Sequence, residues 1–220
     1  MDRVLRFGRK AAIYLFAALA VMLSLSTLAY LNFDFRYGFL QLKQHAIATG
    51  WYLPFYYSHV FAGGLILITG LIQFNDTIRS KAKGAHRVAG YIYVFGILLF
   101  AAPGGLVMSF FIDRGALVLG SFLVQCTLWF WFTIAAFKRI MQGDISGHRQ
   151  WMMRSFSLTA AAVTLRVWIF FASWFVDLSQ PFAYGTFALL SWIPNLLFAE
   201  VLIRRGRRSR SLQRVTSQAY

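Results

Sequence analysis

Histidine occurs only four times in this chain, as His45, His59, His86 and His148. An imidazole nitrogen is the commonest protein ligand for metals and a regular axial ligand of haem iron, so each of the four is a candidate for chemistry. His86 and His148 share a local context, Gly84-Ala85-His86-Arg87 and Ser146-Gly147-His148-Arg149, each at the basic entrance of an apolar stretch. Two imidazoles at equal depth on separate helices can ligate one haem b from opposite faces, with Arg87 and Arg149 placed to meet its propionates. Such ligation sets the two nitrogens about 4 Å apart, twice a metal–imidazole bond of roughly 2 Å. The same two His-Arg steps can equally anchor lipid headgroups. His45 falls in a connection and reads as a solvated residue.

A second group lies at the other end of the apolar stretches. At 1.5 Å per residue, His59, Gln125 and Arg166 each sit roughly 12–15 Å below that end of their helices. An imidazole, an amide and a guanidinium at one depth can hold a quinone or another small polar ligand. The alternative is a hydrogen-bonded packing network, in which Gln125 bridges two helices. An intramembrane arginine is costly and requires a partner or a watery cavity, which makes Arg166 the strongest functional candidate. Helical periodicity puts His59, Gly63, Gly70 and Gln73 on one stripe, His86, Gly90, Tyr93 and Gly104 on another, and His148, Ser155, Thr159 and Arg166 on a third that should face inwards. Arg154 and Glu200 lie one turn inside the basic boundary. Arg154 is expected to snorkel and Glu200 to meet Arg204, the alternative being that the two pair with each other. Cys126, the only cysteine, excludes an internal disulfide and reads as a small hydrophobe. There is no nucleotide-binding loop, no Ser-His-Asp set and no helical metal-ligand pair of histidines, so the motifs leave open whether the chain is an enzyme.

The elements that must position these residues are all helices. Of the 220 residues 59% are hydrophobic and 13% charged, a balance that suits a bilayer rather than water. Six apolar runs, at about 11–31, 51–74, 88–111, 116–137, 151–176 and 182–203, each have the roughly 20 residues that cross about 30 Å of hydrocarbon. The reading is an all-α integral membrane bundle of about six transmembrane helices. It forms a single membrane domain over residues 1–220, with basic ends at about 1–10 and 204–220. The first run is too long for a signal-peptide core and reads as an uncleaved helix.

A net charge of +15 would suggest nucleic acid in a soluble protein, but topology accounts for it here. Arg3, Arg6, Arg9 and Lys10, then Arg79, Lys81, Lys83 and Arg87, then Lys138, Arg139 and Arg149, then Arg204, Arg205, Arg207, Arg208, Arg210 and Arg214 all fall on alternate connections. The other side has only Arg36, Lys43 and Arg114. The positive-inside rule makes the crowded side cytoplasmic, with both termini on it and anionic lipid as its partner; nucleic acid is not expected. Trp51, Tyr52, Tyr56, Tyr57, Trp151, Trp168 and Trp174 read as interfacial aromatics, and residues 32–50 as a connection lying along the membrane surface. Pro103 with Gly104 and Gly105, and Pro194 beside Asn195, should each interrupt a helix. Lipid cannot satisfy the carbonyls they free, so both sites should face protein.

Several of these residues fall into a recognisable pattern. His59 is followed by the stretch Gly63 to Gln73 and Phe74, then His86-Arg87 with Gly90-Tyr91-Ile92-Tyr93, then His148-Arg149-Gln150-Trp151-Met152 and Arg154. This resembles a family of predicted prokaryotic membrane proteins known only as a domain of unknown function. The resemblance implies a multi-pass architecture and a bacterial plasma membrane, and it transfers no catalytic residue. More loosely the histidines look like the cytochrome b561 and ferric-reductase membrane cores. Those use paired histidines on four helices, and this chain lacks the second pair.

A membrane redox role that uses haem b or quinone leads the functional expectations. A small-solute or ion transporter, and a non-catalytic membrane assembly protein, are the alternatives. The topology is directly testable with reporter fusions. A reporter fused after Arg204 is expected to be active only in the cytoplasm, and external activity there overturns the assignment.

Overall fold

The computed structural model describes residues 2–218, with side chains described from residue 5 to residue 208. The side chains of Arg3, Arg210 and Arg214 lie outside the described residues. Six helices are long and apolar enough to cross a membrane: Leu5–Asn32, Tyr52–Gln73, Lys83–Ser109, Ala116–Met141, Ile145–Ala172 and Pro181–Arg208. No strand occurs among the described residues. The helices run further at their basic ends than hydropathy indicates, because a helix persists into polar sequence once its ends are capped. Asp144 caps the fifth in this way, its carboxylate accepting from Gly147 N at 2.8 Å. The fifth therefore starts ahead of His148, and the third, from Lys83, starts ahead of His86.

The second to fifth helices form a four-membered ring in which each touches the next. The second and fourth are diagonal partners, as are the third and fifth. The first helix lies over the groove between the second and fifth, where Ala20, Leu67 and Val163 are buried together. The sixth lies over the groove between the fourth and fifth, and Trp192 Nε1 donates to Ser121 Oγ at 3.1 Å. Small residues set the closest approaches. A Cβ on Gly64 would lie 2.7 Å from Thr27 Oγ1, and one on Gly70 would lie 2.6 Å from the Phe156 ring.

The inward stripe of the fifth helix meets the third across the diagonal. Tyr93 Oη shares hydrogen bonds with Ser155 Oγ at 3.1 Å and Thr159 Oγ1 at 2.8 Å. From the fourth helix, Trp129 Nε1 donates to Thr159 Oγ1 at 3.0 Å, and Thr133 Oγ1 lies 2.8 Å from Ser155 Oγ. All five side chains are buried, and their hydroxyls partner one another, as hydrocarbon requires.

Two prolines break the ladder, and side chains of neighbouring helices bond to carbonyls beside each. The third helix passes through a π-helical turn at Gly96–Ala101 just before Pro103. There Phe100 O accepts from Ser58 Oγ at 3.2 Å and Ala101 O from His59 Nδ1 at 2.6 Å. In the sixth helix Pro194 has no N–H to offer Leu190 O, four residues earlier. Trp168 Nε1 of the fifth helix donates to that carbonyl instead, at 3.3 Å. Asn195 Nδ2 reinforces the contact, donating to Ser191 O at 2.9 Å and Thr164 Oγ1 at 3.0 Å.

Two expectations need correction. Arg154 does not snorkel away from Glu200. Its Nη2 donates to Glu200 Oε2 at 3.0 Å and its Nε to Oε1, while Trp151 stacks beneath its guanidinium at 4.6 Å. A fork-to-fork pair in a half-buried site outcompetes a single bond to a solvated Arg204. Tyr52 and Tyr56 are not interfacial: they are 1% and 2% exposed, because the connection before them folds back as two 3₁₀ turns and a short helix that bury Leu40 and Ala46 against them. That connection covers the ends of the second and third helices, where Lys43 Nζ donates to Phe111 O at 2.5 Å.

The repair of the Pro194 break yields a double-mutant test. Trp168→Phe should lower stability by about 1 kcal/mol, in the range of hydrogen bonds between membrane helices. In a Pro194→Ala background the helix supplies its own N–H to Leu190 O, so the same substitution should then cost little. Unfolding of the four proteins in detergent measures the coupling; equal costs in both backgrounds would show that the Trp168 bond is not the repair.

Candidate functional site

The structure separates the candidate residues into two places. At the basic end, His86 and His148 stand on diagonal helices, within electrostatic reach of each other. His148 Nδ1 lies 2.9 Å from Ala136 O of the fourth helix. A carbonyl only accepts, so Nδ1 carries the proton and Nε2 presents its lone pair. Nδ1 of His86 is buried and has no hydrogen-bond partner. An orphaned ring nitrogen is a costly thing to bury and calls for an occupant. Arg87 and Arg149 follow in sequence and are exposed. Gly90, which sits one turn beyond His86, faces the side chain of Gln73 on the second helix, whose Nε2 donates to His86 O at 2.7 Å. That contact fixes the start of the third helix against the second.

Towards the other end, His59 and Arg166 also lie within electrostatic reach. His59 is oriented by its bond to Ala101 O, which again puts the proton on Nδ1 and leaves Nε2 without a protein partner. Gly104 and Gly105 make room for it. A Cβ on Gly104 would lie 2.6 Å from Phe55 O, and one on Gly105 would lie 2.9 Å from His59 Nδ1 and 3.0 Å from Cys126 Sγ. Gly63, on the same stripe as His59, has nothing within 4 Å of its Cβ position and takes no part.

By accessible area Arg166 is exposed. Nη1 donates to Ala162 O of its own helix at 2.8 Å. Tyr30, Tyr56 and Tyr184 lie within electrostatic reach of it, and it joins no ion pair among the described residues.

Gln125 does not complete the expected trio. Its Nε2 points at Leu158 O of the fifth helix at 3.4 Å and its Oε1 is buried without a partner; it bonds to neither His59 nor Arg166. The amide bridges the fourth and fifth helices instead, the packing role that was the alternative for it. The three tyrosines were missed. Depth arithmetic places Tyr30, Tyr56 and Tyr184 near the ends of their helices, where tyrosine ordinarily marks the interface, and nothing local distinguishes a ring turned inwards. His45 is exposed, as expected of a solvated residue. No group of three or more metal-ligating His, Cys, Asp or Glu side chains exists among the described residues.

Six helices long and apolar enough to cross a membrane define a multi-pass membrane protein. Residues 56–203 match the family described as predicted membrane protein (DUF2306), and the chain belongs to it. That description assigns no activity. No curated protein and no solved structure matches the chain. The matched region contains His59, His86, His148 and Arg166, and leaves out the first helix with Tyr30.

The glycine contacts predict which substitutions the site tolerates. Gly104→Ala drives a Cβ into a backbone carbonyl and should destabilise by roughly 1–3 kcal/mol, the usual cost of overpacking. Gly63→Ala should be neutral. Thermal unfolding of both variants in detergent checks this, and a Gly104→Ala protein as stable as Gly63→Ala contradicts the close approach at His59.

Proposed function

We propose that this is a prokaryotic plasma-membrane protein, its two termini cytoplasmic, that serves a redox role through one b-type haem held between His86 and His148. The observation that carries the reading is the buried, unpartnered Nδ1 of His86, on a helix diagonal to that of a second histidine near the same end of a four-helix core. His148 supports it. Its Nδ1–H is committed to Ala136 O, the arrangement that fixes the tautomer of a ligating imidazole and points Nε2 at a metal. Arg87 and Arg149, both exposed, are the residues for the propionates.

When bound, a haem with two histidine ligands carries single electrons without an open coordination position. The chain's own part is to orient the rings, to neutralise the propionates and to exclude water with the Tyr93 hydroxyl cluster above the site. The cytoplasmic assignment rests on the basic residues that crowd this end, which also make anionic lipid its natural surroundings. A carrier reading draws on broken helices that border a transport path. Here side chains of neighbouring helices tie down carbonyls beside both breaks, which favours a static cofactor scaffold.

The test is spectroscopic. Protein produced with adequate haem supply is expected to purify coloured, with a low-spin Soret band and one haem per chain. His86→Ala and His148→Ala should each abolish or alter the band, while His45→Ala leaves it unchanged. Size-exclusion profiles show whether the variants remain folded. Colourless protein under these conditions, or a band that survives both substitutions, would falsify the haem reading.

A further inference from the structure

At the basic end, the turn between the fourth and fifth helices carries two side chains that neither the bundle nor the bilayer accounts for. The apolar runs on either side of it stop at about residue 137 and resume at about residue 151. Met141 and Ile145, which fall between them, are each 70% exposed. They stand beyond Lys138 and Arg139, the basic residues that mark the membrane boundary. Both therefore lie past the hydrocarbon that accommodates the other exposed apolar residues of the chain.

The turn holds them firmly. Gly143 supplies the left-handed φ of +75°, and Asp144 N donates to Arg139 O at 2.9 Å. The Asp144 carboxylate accepts from Gly147 N at 2.8 Å and pairs with Arg139 at 3.3 Å. Two apolar side chains held out on a preorganised turn can be covered with little loss of chain entropy.

Around this tip the free charge is of one sign. Lys81, Lys83, Arg87, Lys138 and Arg149 are exposed, and none of them joins a salt bridge among the described residues. Asp76, Asp144 and Glu200, the carboxylates near this end, are each tied to an arginine. Lys83 and Ile145 stand three residues before His86 and His148 respectively, one helical turn or about 4.5 Å.

We infer that this turn and its basic rim dock a soluble protein that carries single electrons and surrounds its own redox centre with carboxylates. Contacts between electron carriers are small, and opposite charge steers them. The apolar patch of the carrier covers Met141 and Ile145, and its carboxylates face Lys83 and Lys138. Lipid headgroups compete for the basic residues, but they do not call for two exposed apolar side chains among them. The electron-carrying nature of the partner rests on the haem reading, whereas the surface itself does not. One electron leaves the reduced centre of the carrier for the group held between His86 and His148, and no bond forms or breaks.

The experiment titrates the full chain, in an uncharged detergent, with a plant-type [2Fe–2S] ferredoxin of acidic surface and with cytochrome c as a basic control. Ferredoxin is expected to bind saturably, and at least about tenfold more weakly at roughly 0.2 M salt than at roughly 0.05 M, as screening requires. Cytochrome c should not bind. Met141→Ser with Ile145→Ser, and separately Lys83→Glu with Lys138→Glu, should each weaken ferredoxin about tenfold or more. Arg36→Glu, at the other end of the bundle, should leave it unchanged. Size-exclusion profiles confirm that the variants are folded. In coloured protein, reduced ferredoxin should bleach and shift the Soret band at a rate that falls with the same two pairs of substitutions.

Binding that ignores either pair, or displacement of ferredoxin by short-chain phosphatidylglycerol, which marks a headgroup site, overturns the proposal. Coloured protein that does not bind ferredoxin also overturns it and leaves the haem reading standing. Colourless protein that binds ferredoxin with the same salt and tip dependence overturns the haem reading and the electron-carrying role of the partner, and supports the docking surface.

Discussion

Every backbone carbonyl in a bilayer must find its donor within the protein, and the arrangement of this bundle follows from the places where a helix cannot supply its own. The third and sixth helices each carry a proline in mid-span. A neighbour's side chain bonds a carbonyl near each proline: Ser58 and His59 of the second helix to those just before Pro103, and Trp168 of the fifth to the one Pro194 leaves free. These bonds decide which helices are adjacent and at what height. They also fix the chemistry of His59: an imidazole that must donate at Nδ1 to close a backbone gap has its tautomer chosen for it, and Nε2 is turned to the interior.

The same medium governs the charges. Glu200 and Arg154 are held by a two-point ion pair with a tryptophan beneath, near the basic boundary. Arg166, towards the opposite end, has no carboxylate partner among the described residues and donates to a carbonyl of its own helix. The two arginines look alike in sequence. Packing makes Arg154 a clamp between the fifth and sixth helices and leaves Arg166 on the fifth alone.

The architecture was legible from residues alone because run length and hydropathy need no knowledge of rotation. Six apolar stretches read as six helices, and the inward stripe of Ser155 and Thr159 is buried as its periodicity requires. What was not legible depends on how one helix is turned against another. Glu200 is as close in sequence to Arg204 as any helical partner, and only the packing of the fifth and sixth helices shows that Arg154 claims it. Gln125 lies at the depth of His59 and Arg166 but faces Leu158. Tyr56 has the amphipathic ring of an interfacial anchor, and its burial depends on a preceding segment whose polar and apolar residues give no periodic signal.

The π turn at Gly96–Ala101 gives the third helix two angular frames. A π turn holds one residue more than the α ladder requires, so everything after it is rotated by about 100° from where uninterrupted counting would put it. Ahead of the turn, the helix directs Tyr93 across the diagonal to the fifth helix; beyond it, Gly104 and Gly105 lie flat against the second. One element thus addresses two neighbours, as a splice between two registers. Among homologous sequences a single-residue gap within this turn is then a change of phase rather than of length. It would move the glycine face off His59 while leaving the hydropathy profile untouched, so alignments that score only apolar runs would pass over the position where the two halves of the interior are brought into step.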